Sequence, residues 1–173
     1  MRAITMHQDP PPLLVGERVN SQGSRRVKRL LLADDYDGIL DVAREQSESG
    51  AHVLDVCVAL TERQDEDEQM RQVVKRISLT QPAPIQVDST EPDVIKAALE
   101  AIPGRAIVNS VNLEAGRDKL DVVAPLAKAH GAALIALTMG AAGIPLARLP
   151  AALGLWGDAS PGPTLARDQL VLW

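Results

Sequence analysis

Short aliphatic runs that alternate with helix-period segments, a repeat of about 30 residues, and room for only five such repeats predict an α/β protein. The expected architecture is an incomplete (β/α)8 TIM-type barrel, about five parallel β/α units plus an irregular C-terminal tail. Candidate strands are Leu13-Leu14-Val15-Gly16, His52-Val53-Leu54-Asp55-Val56-Cys57-Val58, Ile85-Gln86-Val87, Ala106-Ile107-Val108 and Ala132-Ala133-Leu134-Ile135-Ala136-Leu137. Between them, apolar residues recur at helical spacing: Tyr36, Ile39, Leu40, Ala43; Met70, Val73, Val74, Ile77; Val94, Ile95, Ala98, Ile102; and Leu120, Val123, Ala124, Ala127. Alternation of this kind signals a parallel sheet, whose neighbouring strands need a long crossover between them.

The punctuation agrees with the periodicity. Gly50, Gly104 and Gly131 each fall between a helical segment and the next strand, where a left-handed residue ends a helix. Thr90-Glu91-Pro92-Asp93 offers an N-cap hydroxyl, a proline tolerated in the first turn and an acid near the positive end of the helix. The last candidate strand ends near Thr138, and the remaining residues cannot hold three more units. Residues 1–11 are read as a lead-in, 12–139 as the partial barrel and 140–173 as a divergent tail, the expected product of truncation or a frameshift. Four prolines interrupt that tail, although residues 146–155 have the makings of one short helix.

Composition narrows the function classes. With 173 residues, 46% of them hydrophobic, the chain is long enough for one domain that buries roughly 70% of its unfolded surface. A net charge of -5 and the lack of a long basic run argue against nucleic acid as a partner. Arg25, Arg26, Lys28 and Arg29 form the densest basic cluster, read first as a solvated helix face. No apolar stretch is long enough for a membrane span and no signal-peptide core opens the chain, so a cytoplasmic protein is expected. A single cysteine, Cys57, excludes an internal disulfide or multi-thiolate zinc site, and no metal site is expected. His7, His52 and His130 are read as surface or packing residues. Phe is absent and aromatics make up 2%, leaving aliphatic side chains to fill the core.

Polar residues gather where strands end: Gly16-Glu17-Arg18-Val19-Asn20, Asp55, Asp88-Ser89-Thr90 and Asn109-Ser110-Val111-Asn112. Parallel α/β sheets bind ligands beyond the carboxyl ends of their strands, so these groups would share one rim. A carboxylate accepts parallel hydrogen bonds from a ring N–H and a neighbouring amine, while an amide both donates and accepts. Asp88 and Asn109 therefore suit a flat nitrogen heterocycle such as a pterin. Each also has a local reading, Asp88 as a helix cap and Asn109 as a turn stabiliser. Asp55, inside an apolar run, must be paired, hydrogen-bonded or protonated. No phosphate loop, His-Glu-x-x-His site or nucleophile elbow is present, and no catalytic residue is assigned.

Taken together, Val15-Gly16-Glu17-Arg18-Val19-Asn20, Gly50-Ala51-His52-Val53-Leu54-Asp55-Val56, Val87-Asp88-Ser89-Thr90, Ile107-Val108-Asn109-Ser110 and Gly131-Ala132-Ala133-Leu134-Ile135-Ala136-Leu137-Thr138 resemble the pterin-binding methyltransferase family. That family includes the methyltetrahydrofolate-binding domain of cobalamin-dependent methionine synthase and the methyltetrahydrofolate:corrinoid/iron-sulfur protein methyltransferase. The resemblance implies an eight-stranded barrel that binds 5-methyltetrahydrofolate and passes its N5 methyl group to cobalamin, a corrinoid carried on another domain or protein. It places Asp88 and Asn109 against the pterin, with Asn20 and Asp55 as lesser contributors. Cys57 stands where several relatives carry Asn. The family draws further pterin contacts from later strands, and no segment after Thr138 matches them, although Gly143-Ile144-Pro145 keeps a trace. The isolated chain is accordingly expected to be weak or inactive. The alternatives are a non-catalytic pterin-binding module that forms a homo-oligomer across open sheet edges, or a dihydropteroate synthase-like enzyme, whose Asn-Val-Thr-Pro-Asp-Ser-Phe motif and basic loop are missing here.

Overall fold

A computed structural model describes residues 1–140 and 170–172. The elements follow one another as β1 (Val15–Asn20), α1 (Arg25–Leu32), α2 (Tyr36–Glu48), β2 (Val53–Cys57), α3 (Glu66–Thr80), β3 (Ile85–Asp88), α4 (Pro92–Ala101), β4 (Ile107–Leu113), α5 (Asp118–Ala129), β5 (Ala133–Gly140) and β6 (Leu170–Leu172). All six strands join one sheet in sequence order, each pair parallel. This is the expected succession of parallel β/α units of a partial barrel. The tail adds to it, because Leu170, Val171 and Leu172 pair with Leu134, Ile135 and Ala136 on β5. The helix expected over 146–155 and the family trace at 143–145 lie outside the described residues.

Strand alternation divides the side chains between two faces. Val19, Leu54, Val56, Ile85, Val87, Val108 and Leu134 point to the helices, where they join Leu31, Ile39, Met70, Ile77, Ile95 and Leu120 in the main core. Val53, Ile107, Ala133 and Ile135 form a smaller cluster on the opposite face, with Leu13, Val15 and Leu137 against it. The buried hydrophobic core contains no aromatic side chain among the described residues, so aliphatic packing carries it. Burial of each large aliphatic side chain contributes about 1.5–3 kcal/mol.

Helix ends are fixed locally. Ser24 accepts the Val27 N–H at 3.3 Å to start α1, and Asp35 accepts the Gly38 N–H at 2.9 Å to start α2. Gly50 and Gly131 have φ of 95° and 64°, the left-handed conformation expected at those helix-to-strand turns. Pro92 opens α4 with Asp93 in its first turn, also as expected. Thr90 departs from expectation: the N-cap is Glu91, with no side-chain cap bond. Ser89 Oγ instead accepts the Glu91 N–H at 3.2 Å, a tighter local turn that displaces Thr90 from the role.

Salt bridges are peripheral. Arg26 pairs with Glu45 and Lys28 with Glu62, side chains all more than two-fifths exposed, in keeping with a solvated basic face. No described helix is long and apolar enough to cross a membrane.

Candidate functional site

The site begins with an irregularity in β1. Gly16 is in register with Leu54 and Val19 with Val56, so β1 spends one residue more than β2 across this stretch. Such a bulge reverses the side-chain alternation beyond it. Val19 consequently enters the helix-side core, and Asn20, paired with Cys57, turns to the inner face. Were β1 to run through these same residues without a bulge, Asn20 would face the helices. The Arg18 N–H at the bulge is satisfied by Gln46 Oε1 at 2.7 Å.

Asn20 is then locked. Its Oδ1 accepts the N–H groups of Gln22 and Gly23 at 2.9 and 3.1 Å, which leaves Nδ2 to face two carboxylates. That nitrogen donates to Asp88 Oδ2 at 3.0 Å and to Asp55 Oδ2 at 3.4 Å. The following loop is pinned in turn, as Ser21 Oγ and Gln22 Nε2 both donate to the Ala59 carbonyl, at 2.7 and 2.6 Å.

β3 delivers two residues of one face. Gln86 pairs with Asp55 across the sheet and donates from Nε2 to Asp55 Oδ1 at 2.7 Å. Two positions on, Asp88 pairs with Asn109 of β4, and Ser89 N–H bonds the Asn109 carbonyl at 3.1 Å. The Asn109 amide also lies near enough to Asp55 to favour its ionised form. The four residues singled out from sequence, Asn20, Asp55, Asp88 and Asn109, thus come together on one face of four consecutive strands, Asn20 and Asp88 as the last residues of β1 and β3 and Asp55 one step deeper in β2. Asp88 caps no helix here, and Asp55 meets its requirement for partners through amides.

Electrostatics separate the two carboxylates from ordinary surface acids. Burial raises the Asp55 pKa, against the lowering effect of hydrogen bonds from Gln86, Asn20 and Asn109. Burial, and secondarily the charge of Asp55, pushes Asp88 up to about 6. At neutral pH Asp88 is therefore mainly ionised and poorly solvated, a carboxylate short of donors. Cys57, buried on the same face, is pushed up to about 11 by burial and stays a thiol, its sulfur 3.8 Å from Ser21 Oγ. The Ser21 hydroxyl is thus the polar contact of Cys57.

Other polar groups lie apart or act structurally. Glu17 and Arg18 sit exposed on β1. His52 Nδ1 accepts the Leu14 N–H at 2.9 Å, a strut at the opposite end of the sheet. No group of three or more His, Cys, Asp or Glu side chains is placed to hold a metal among the described residues. Gln86 is the functional position that the sequence reading missed. Its signal was present: a polar side chain inside an aliphatic strand, two residues before Asp88 and so on the same face.

Comparison with known proteins agrees with this geometry. The family described as "Pterin binding enzyme" matches residues 16–147. Methionine synthases of Mycobacterium tuberculosis and Mycobacterium leprae are each 39% identical over 140 residues, covering 79% of this chain. The chain spans 12% of the length of those relatives. Among solved structures, Xanthomonas albilineans dihydropteroate synthase with 4-aminobenzoic acid superposes with a TM-score of 0.58 at 19% identity, covering 93% of this chain and 58% of that one. Yersinia pestis dihydropteroate synthase gives a TM-score of 0.53 at 16% identity, covering 75% and 45%. These likenesses establish the fold.

Proposed function

Because this chain belongs to the pterin-binding enzyme family, we propose that it is the pterin-gripping part of a methyltransferase site that takes 5-methyltetrahydrofolate and yields its N5 methyl group to a corrinoid on another domain or protein. The observation that carries the reading is the in-register pair Asp88 and Asn109 on neighbouring strands, with Asn20 donating to Asp88. Its identity to methionine synthases favours the folate donor and the corrinoid acceptor over other pterin chemistry.

The donor set suits a pterin edge. Asp88 is a desolvated carboxylate whose ionised form needs donors, and a pterin offers a ring N–H beside an exocyclic amine. Asn109 supplies a second polar contact from the neighbouring strand, and Asn20 holds Asp88 in place. The grip orients the ring so that its N5 substituent faces the acceptor, which converts an encounter into a positioned transfer. The bound corrinoid supplies the nucleophile. Since a tertiary amine leaves only after N5 gains positive character, hydrogen bonding around the ring lowers the barrier. Binding is assigned to this chain, and turnover to its assembly with the corrinoid-bearing partner.

Titration calorimetry with 5-methyltetrahydrofolate tests the reading: heat of binding that disappears in Asp88→Ala supports it, and no binding by the unaltered chain overturns it. A dihydropteroate synthase-like activity is the second reading, favoured by the structural neighbours. Formation of dihydropteroate from 4-aminobenzoate and a pterin pyrophosphate would select it.

A further inference from the structure

Asp55 is 2% exposed and lies one strand position below the rim, in register with Gln86, where it is shielded from anything bound above Asp88. The side-chain partners it has are amides from three other strands: Gln86 on β3 at 2.7 Å, Asn20 on β1 at 3.4 Å, and Asn109 on β4. Two of those amides belong to residues assigned above to the pterin grip. An asparagine side chain can be turned over at almost no change in shape, exchanging donor for acceptor. A buried anion beneath it removes that freedom, because only the NH2 end satisfies a carboxylate. With its NH2 towards Asp55, Asn109 is left with its carbonyl oxygen for a ligand, an acceptor on the residue in register with Asp88. The rim then demands a ligand edge rich in N–H groups.

Gln86 is what keeps the anion in place. It is 5% exposed in a strand whose neighbours Ile85 and Val87 are fully buried aliphatics, and a polar side chain there is costly unless it is bonded. Its bond to Asp55 Oδ1 leaves Oδ2 for Asn20.

We propose that Gln86 and Asp55 are a positioning pair that does not touch the ligand: Gln86 pins the Asp55 carboxylate, and Asp55 fixes the amide orientation of Asn109, adds to the hold that the Gln22 and Gly23 N–H groups have on Asn20, and hence sets the donor-rich specificity of the rim. The choice of ligand rests on the pterin reading; the hub itself does not.

The test uses the full chain with Gln86→Leu, Asp55→Asn and, as a control, Val87→Ala, which thins the helix-side core from the other face of the same strand. The side-chain amide NMR signals of Asn20 and Asn109 are recorded without ligand, and 5-methyltetrahydrofolate affinity is measured by calorimetry. Both hub variants shift the two amide signals and weaken binding at least tenfold, and Asp55→Asn suffices should Gln86→Leu fail to fold. Val87→Ala lowers stability but leaves the signals and the affinity near those of the unaltered chain. Amide signals that stay in place in the hub variants, or that move equally in Val87→Ala, overturn the proposal. If the unaltered chain binds no 5-methyltetrahydrofolate while the hub variants still move the amide signals, the ligand reading falls and the hub stands.

Discussion

Replacing Asp88 with asparagine should stabilise the fold while damaging the site. Burial and the neighbouring Asp55 raise the Asp88 pKa from 3.8 to about 6, so its ionised form is disfavoured in the folded state. Two units correspond to about 3 kcal/mol, and partial exposure at the rim screens this to about 1–2 kcal/mol. The sign follows from linkage: a folded pKa above the unfolded one means that folding is penalised once the pH passes through this window. Asp88→Asn removes the penalty, and its Oδ1 can still accept from Asn20 Nδ2. Chemical unfolding followed by far-ultraviolet circular dichroism is the suitable assay. The variant should gain about 1–2 kcal/mol near pH 8, and the gain should shrink as pH falls from about 6 towards 4. Pterin affinity should drop about 10- to 100-fold at neutral pH, since one neutral acceptor replaces a carboxylate. A gain that is absent at pH 8, or equal at both ends of the range, would refute the argument from desolvation.

Further outcomes are expected on the same grounds. Pterin affinity of the unaltered chain, corrected for titration of the ligand, should be flat above about pH 7 and weaken about tenfold per unit well below about pH 6, as Asp88 gains a proton where an acceptor is needed; a flat profile throughout would exclude Asp88 as the contact. Leu54→Ala, at a fully buried position of the helix-side core, should cost about 2–5 kcal/mol in urea unfolding, and a loss below about 1 kcal/mol would contradict the packing described. Gly16→Ala would bring a Cβ to 2.7 Å from Gln46 Oε1 and 3.0 Å from Ala51 Cβ, disturbing the bond to Arg18 N–H. Its cost of about 1–3 kcal/mol should be accompanied by weaker pterin binding, whereas Gly131→Ala, strained by φ 64° with no atom within 4 Å, should lower stability alone. Cys57 should resist alkylation at pH 8 in the folded chain and react readily in denaturant, reflecting a buried thiol pushed up to about 11.

What the sequence disclosed follows from which signals are local. Aliphatic runs and helical spacing marked the cores of β2, β3, β5 and four helices, because burial imposes those patterns directly. β1 and β4 were read too short, as 13–16 and 106–108, since their second halves are polar and carry bulges. α1 was seen only as a charged face; its two buried residues, Val27 and Leu31, are too few to make a periodic signal. The meeting of Asp88 with Asn109 was legible, for each follows the aliphatic run of one of two consecutive strands in a parallel sheet. The direction of Asn20 was not, because a bulge depends on pairing with β2. The union of β5 with β6 likewise joins residues more than thirty apart in sequence.

The bulge in β1 gives this chain an uneven tolerance of mutational change. Glu17 and Arg18 are exposed, so exchanging either for another polar residue leaves the strand and its neighbours nearly as they are. Removing one of them takes out only the extra residue: Val19 then follows Gly16 by two, as Val56 follows Leu54, so Val19 still faces the helices and Asn20 still turns inward. A library of substitutions and single-codon deletions across 15–20 would therefore show codons 17 and 18 permissive for exchange and for deletion alike, and codons 19 and 20 permissive for neither. In this strand, the identity of the residues beyond the bulge is inherited more strictly than the number within it.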